Sequence, residues 1–204
     1  TSPITHWSTP ARYKRHGVGP ALPNCTVAVV DDNNNILGPN EEGEILLAGP
    51  MIMKGYYKLE DLTAEVMVEL DVPGKGRMRF FRTGDIGKQD EDGILFITGR
   101  KKEMLIVGGE NVFPREIEEV RNKHAGAAAS AIIGRNDGVR GEVPVAFIEL
   151  EEDATLDESA LRSWCRERLA GYKVPRDITV IDELPRSPTG KIMRRKLSEA
   201  QPTE

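Results

Sequence analysis

Cysteine and histidine are scarce in this chain, and their scarcity removes whole classes of function. Cys25 and Cys165 are the only cysteines among 204 residues, and they share no metal-ligand spacing. Two cysteines make no disulfide framework, so a reducing cytoplasm is the expected compartment. His6, His16 and His124 form no i, i+4 pair and none stands beside a cysteine, so no metal site is expected from them. No apolar run approaches the roughly 20 residues that cross a bilayer, so no transmembrane segment is expected; peripheral association with a membrane stays open. An excess of basic charge is also missing: 28 Lys and Arg face 33 Asp and Glu, for a formal charge of −5. A nucleic-acid partner, which calls for a basic face, is therefore not expected. The opening Thr1-Ser2-Pro3-Ile4-Thr5-His6 has no basic stretch followed by an apolar one, so it does not read as a signal peptide. It also lacks an initiator Met, and we expect a piece of a longer polypeptide.

What is present is a chain able to bury a core, with 39% hydrophobic residues. Its first half reads as strands and turns. Thr26–Val30 is apolar and β-branched and runs into the turn-forming Asp31-Asp32-Asn33-Asn34-Asn35, and Glu44–Ala48 lies between glycines. Ile86–Lys88 and Ile94–Thr98 flank Asp90-Glu91-Asp92-Gly93 as a hairpin. Leu62, Val66 and Leu70 predict a helix over about 61–69. The second half mixes helices and strands. Met104–Val107 is a short strand stopped by Gly108-Gly109, and Pro114 suits the first turn of a helix. Residues 128–133, 143–150 and 177–181 read as strands, and Asp157 as the N-cap of a helix with Leu161, Trp164, Cys165 and Leu169 on one side. The fold class expected is α+β: a β-barrel-like part over 1–98, a charged hinge over 99–103, and a small α+β domain over 104–204.

Three segments carry chemistry. In Phe81-Arg82-Thr83-Gly84-Asp85, a carboxylate just past a Gly turn can accept two hydrogen bonds from a vicinal diol, although such an Asp also commonly bonds its own backbone. The run from Gly99-Arg100-Lys101-Lys102 to Gly108-Gly109-Glu110-Asn111 joins an exposed charged stretch to a Gly pair that lets backbone approach a ligand. A linker and a strand-ending turn would look the same. In Pro185-Arg186-Ser187-Pro188-Thr189-Gly190-Lys191, prolines stiffen a loop that presents Lys191, whose ammonium can neutralise charge developing on phosphate and carboxylate oxygens. Thr189-Gly190-Lys191 is not the end of a phosphate-binding P-loop, because Pro185 stands where that motif needs its first glycine. The remaining reading of this segment is a basic surface tail.

In order and spacing these segments resemble the late motifs of the adenylate-forming (AMP-binding) superfamily, which includes acyl-CoA synthetases and peptide-synthetase adenylation domains. Gly43-Glu44-Ile45 with Gly55-Tyr56-Tyr57, and Gly171-Tyr172-Lys173-Val174-Pro175, look like two further motifs of it. The resemblance covers essentially the whole chain. It implies an ATP-dependent ligase using Mg²⁺ and coenzyme A, which makes acyl-AMP from a carboxylic acid and passes the acyl group to CoA. By motif, Asp85 would hold the ribose hydroxyls, Arg100 the ribose or phosphate, and Thr1 would end the segment that contacts the nucleotide. Lys191 would be the catalytic lysine and Lys102 the hinge about which the small domain turns. Gly108 and Gly109 would line the pantetheine tunnel, with Lys173, Arg194 and Arg195 near the CoA phosphates. The Gly-Gly-Glu-Asn form looks like bacterial fatty-acyl-CoA synthetases, so a long-chain fatty acid is the expected acid. No Ser/Thr/Gly-rich phosphate loop is present, so an upstream part of the same enzyme is the expected partner. Two other readings stand beside this one: a ligase loading a carrier-protein phosphopantetheine, and a non-catalytic binding module of the same fold.

Overall fold

The computed structural model describes residues 4–124 and 126–199. The chain divides into two compact units, Thr1–Lys102 and Glu103–Glu204. Strands of the first unit are β1 (Gly17–Pro20), β2 (Thr26–Val30), β3 (Gly43–Ala48), β4 (Met67–Val72), β5 (Gly76–Gln89) and β6 (Ile94–Arg100), with one helix, α1 (Glu60–Val66). They form a six-stranded antiparallel sheet in the order β1-β6-β5-β3-β2, with β4 also on β5. β5 can serve three partners because it is 14 residues long, and register shifts at Glu44/Leu46 and Ile86/Gly87 curl the sheet into a half-barrel. β2 and β3 are apolar on both faces. Val30, Leu46 and Phe80 pack on one side, and Val29, Ile45 and Leu95 on the other.

The expected helix over 61–69 is shorter than its apolar spacing suggested. α1 ends at Val66, and Met67–Val72 is strand β4. Leu62, Val66 and Leu70 fit a helix, but Val68, Leu70 and Val72 also alternate at period two. The second pattern prevails because the turn at Pro73-Gly74 brings Gly76–Phe81 alongside, and Leu70 is then buried against Phe80.

The second unit contains β7 (Leu105–Val107), β8 (Glu110–Val112), α2 (Pro114–Arg121), β9 (Ala127–Asp137), β10 (Gly141–Leu150), α3 (Glu158–Arg166), β11 (Asp177–Ile181) and α4 (Arg194–Glu199). Its five-stranded sheet runs β11-β10-β7-β8 with β9 on β10, and only the β10–β11 pairing is parallel. Pro114 opens α2 where its missing N–H costs nothing. Asp157 caps α3, accepting from the amides of Ser159 and Ala160 at 2.9 and 3.0 Å. α3 ends at Arg166, so Leu169 packs on the core from beyond the helix. One face of the sheet is covered by Ile117 of α2 and by Leu161 and Cys165 of α3. The opposite face, Ala131, Ile133, Val145 and Phe147, is covered by Leu184 and by Leu197 of α4, with Ile192 packed beside them. Glycines 108 and 109, expected to stop a strand, are the two-residue loop of a β7–β8 hairpin, with φ of 62° and 88°.

Candidate functional site

Asp85 and Arg100 face each other across β5 and β6 as register partners. Arg100 Nε lies 2.7 Å from Asp85 Oδ1. Gly84 makes the approach, with φ of 69° and open space where a side chain would stand. Thr83 fixes it: its hydroxyl donates to the carbonyl of Ile45 at 2.7 Å and accepts from the amide of Asp85 at 3.0 Å. The bond to the backbone of this turn is made by the Thr83 hydroxyl, while the Asp85 carboxylate is held by Arg100. The residue borders a cleft of 460 Å³ whose wall includes Trp7, Val18, Ile45, Leu47 and Thr83. His6 lines the same cleft, and burial pushes its imidazole below the usual histidine range. A carboxylate at the rim of an apolar hollow suits a ligand with an apolar ring and neighbouring hydroxyls.

Beneath this edge lies a group that the residue pattern alone did not single out as functional. Glu44 is 6% exposed, yet its carboxylate takes Arg82 at 2.8 Å and Lys101 at 3.5 Å. Lys101 also reaches Asp32 at 2.9 Å, and the hydrogen bond to that carboxylate raises the lysine's pKa. A near-buried carboxylate without cations would be costly, so Glu44 organises the segments on both sides of the Asp85–Arg100 pair. The signal was there in Gly43-Glu44-Ile45, a charge inside an otherwise apolar strand. Lys102 is exposed, and its side chain makes no hydrogen bond or ion pair with the described residues.

In the second unit Lys191 stands exposed on a hairpin-like loop. The amide of Ser187 donates to the carbonyl of Lys191 at 2.8 Å, the amide of Lys191 donates to the Ser187 hydroxyl at 3.2 Å, and that of Met193 to the carbonyl of Pro185 at 2.7 Å. Gly190 makes the turn with φ of 80°. The loop leaves the lysine side chain in solvent while fixing its backbone.

The cations expected near CoA are placed differently from one another. Arg194 is held by Glu118, which accepts from its Nη2 at 2.9 Å with both oxygens, and by Glu103 at 2.8 Å. Lys173 is held by Glu116 at 2.7 Å. Arg195 reaches out to solvent and, among the described residues, pairs only with Glu199, at 3.1 Å. Gly108 and Gly109 lie at the end of the sheet, where the amide of Gly108 donates to the carbonyl of Arg140 at 2.7 Å. Arg140 and Arg176 both sit near Asp137, lowering its pKa after the backbone amides of Arg140 and Val139 have done so. Neither guanidinium has an ion pair among the described residues. Composition gave no hint of these two, because only the fold brings residues 140 and 176 to the Gly pair's end of the sheet. Thr1 lies outside the described residues. Among the described residues no group of three His, Cys, Asp or Glu side chains is placed to hold a metal ion. No described helix is long and apolar enough to cross a membrane.

Comparisons with known proteins show what the chain as a whole is similar to. Residues 116–191 match the AMP-binding enzyme C-terminal domain, and residues 1–57 match the AMP-binding enzyme family. A long-chain-fatty-acid–CoA ligase of Salmonella typhimurium is 38% identical over 92% of this chain and 32% of its own length. A 2-succinylbenzoate–CoA ligase of Geobacillus kaustophilus is 43% identical over 80% of this chain and 32% of its own. An indoleacetate–CoA ligase of Aromatoleum aromaticum is 39% identical over 95% of this chain and 37% of its own. Among solved structures, an o-succinylbenzoate CoA synthetase of Bacillus subtilis in complex with its acyl-adenylate intermediate matches with a TM-score of 0.82 and 32% identity, over 94% of this chain and 37% of that one. The chain thus spans about a third of the length of the curated relatives it matches.

Proposed function

Since this chain belongs to the adenylate-forming, AMP-binding enzymes, we propose that it serves in the ATP-dependent activation of a carboxylic acid and its transfer to coenzyme A. The carboxylate attacks the α-phosphate of ATP, giving acyl-AMP and releasing pyrophosphate; the CoA thiol then attacks the acyl carbon and AMP leaves. One observation carries the reading. The chain holds both a carboxylate just past a Gly turn, Asp85 fixed by Thr83 and Arg100, which we read as the ribose ligand, and a lysine, Lys191, whose backbone is fixed while its side chain is exposed.

In the first half-reaction two anions must meet. Lys191 bridges the acid's carboxylate and the α-phosphate, and Asp85 holds the ribose through its hydroxyls, with Arg100 orienting that carboxylate and facing the phosphate. Mg²⁺ would enter as part of the ATP substrate, where it would supply charge screening; the phosphate loop comes from an upstream part of the enzyme. For the second half-reaction the second unit turns about Lys102, withdrawing Lys191 and bringing in the Gly108–Gly109 turn, whose bare backbone leaves room for pantetheine. Lys173 and Arg194 are largely buried in their ion pairs, whereas Arg195 is 88% exposed beside Glu199 and Arg140 and Arg176 have no ion pair among the described residues, so these three are the cations we assign to the CoA phosphates.

The acid is a proposal at a finer level. A long-chain fatty acid is our first choice, supported by the Salmonella relative. The 2-succinylbenzoate and indoleacetate ligases make those acids the comparison substrates. Acyl-carrier protein assayed beside CoA decides the acceptor. The central test is ATP–pyrophosphate exchange by the enzyme with its upstream part: Lys191→Ala should slow adenylation by about 10²–10³-fold. Exchange at the parent rate would remove Lys191 from the mechanism and favour a non-catalytic binding module.

A further inference from the structure

The residues on either side of Lys102 are each clamped to their own unit. Lys101 is bound to Asp32 and to the near-buried Glu44 in the first unit. Glu103 is bound to Arg194 in the second. Arg194 is three residues beyond Lys191, and it forms the base of the loop that presents the lysine. Its guanidinium is shared: Nη2 donates to both oxygens of Glu118, and Nη1 lies 2.8 Å from Glu103. Glu118 is itself well buried and also accepts from the amide of Ile132 in β9 at 2.8 Å. Arg194 Nε is buried and has no hydrogen-bond partner among the described residues, so the two Nη groups hold the side chain. The other base of the loop is fixed in the same manner. Glu149 of β10 accepts from the amide of Leu184 at 2.9 Å and from Arg186 at 3.1 Å.

We propose that Glu103 and Arg194 form a latch that ties the chain leaving Lys102 to the base of the Lys191 loop, so that a turn at Lys102 carries Lys191 with it as one body. The inference rests on the reading of Lys102 as pivot and Lys191 as the catalytic group. In it, Arg194 and Glu103 are positioning residues. Charge-assisted, forked hydrogen bonds are directional, which is what a lever needs at its joint. Concentrating rotation at one unclamped residue, with both neighbours fixed, also defines the end points of the motion better than a floppy linker would.

The test separates the two half-reactions in the enzyme with its upstream part. Adenylation is followed by ATP–pyrophosphate exchange, and the thioester step by AMP release from supplied acyl-AMP and CoA. Glu103→Gln should lower the turnover of adenylation about tenfold with little change in KM for ATP, since a small misplacement of a reacting group is costly. The thioester step, in which Lys191 is withdrawn, should stay within about twofold of the parent. Arg194→Lys keeps the charge and loses the fork, and should show the same split in milder form; it also covers the case in which Glu103→Gln fails to fold. Equal losses in both half-reactions would mean a merely structural ion pair and overturn the latch, as would no loss in either. Lys191→Ala keeps the outcomes apart. If it slows adenylation while Glu103→Gln does not, the latch falls and the catalytic lysine stands. If Lys191→Ala adenylates like the parent, both fall together.

Discussion

Glu149 shows how much one carboxylate can settle. It accepts the amide of Leu184 and the guanidinium of Arg186, and these hydrogen bonds, the amide first, hold its carboxyl below the ordinary glutamate range. A carboxylate with a depressed folded-state pKa stabilises the fold above its unfolded value, and that contribution disappears as pH falls through the folded one. Glu149→Gln should therefore cost about 1 kcal/mol at neutral pH, less than a fully buried charged bond because water reaches the pair. Urea unfolding of parent and variant across pH checks this. The gap should be full above about pH 4.5 and close only at lower pH, and a gap independent of pH would contradict the assignment. Glu149 bonds a backbone 35 residues away, a contact that no local pattern announces. The turns that place Asp85 and Lys191 were legible for the opposite reason. Thr83-Gly84-Asp85 and Thr189-Gly190-Lys191 are short, and their residues are neighbours along the chain.

Single elements divide along the same line. α3 could be read from its cap and its apolar side, and Asp157 does accept the two amides a cap should. Asp157→Ala should cost about 1 kcal/mol in urea unfolding, while Asp157→Asn should cost a few tenths, about what retention of the cap oxygen implies. A loss as large for Asn as for Ala would show that charge, and not capping, is the contribution. β4 was harder. Its apolar residues satisfy a helical and a strand period at once, and only pairing with β5 decides between them. β1 was not legible either. Gly17-Val18-Gly19-Pro20 has almost no alternation to detect, and it becomes a strand because β6 offers it a partner. Arg140 and Arg176 belong to this class as well, since the turn between β9 and β10 carries the one and the approach to β11 the other, and only the fold brings both near Asp137.

For the molecule as a whole, the proposed activity needs a phosphate loop that these residues do not contain. The 204-residue chain by itself should bind ATP poorly and form no measurable acyl-CoA, which isothermal titration and a thioester assay check together. Turnover by the isolated chain would show that its own residues can replace the missing loop.

The pairing of β1 with β6 has a further effect, felt before the protein is finished. Gly17 to Pro20 are translated well before their partners, Ile94 to Phe96, which stand at the far end of the unit. β2, β3, β4 and β5 can pair among themselves as they emerge, but β1 must wait through more than half of the unit's synthesis. Contacts so distant along the chain are slow to form, and an unpaired strand is open to wrong partners while it waits. Closure of the first sheet thus falls late, at about the time the proposed pivot segment is translated.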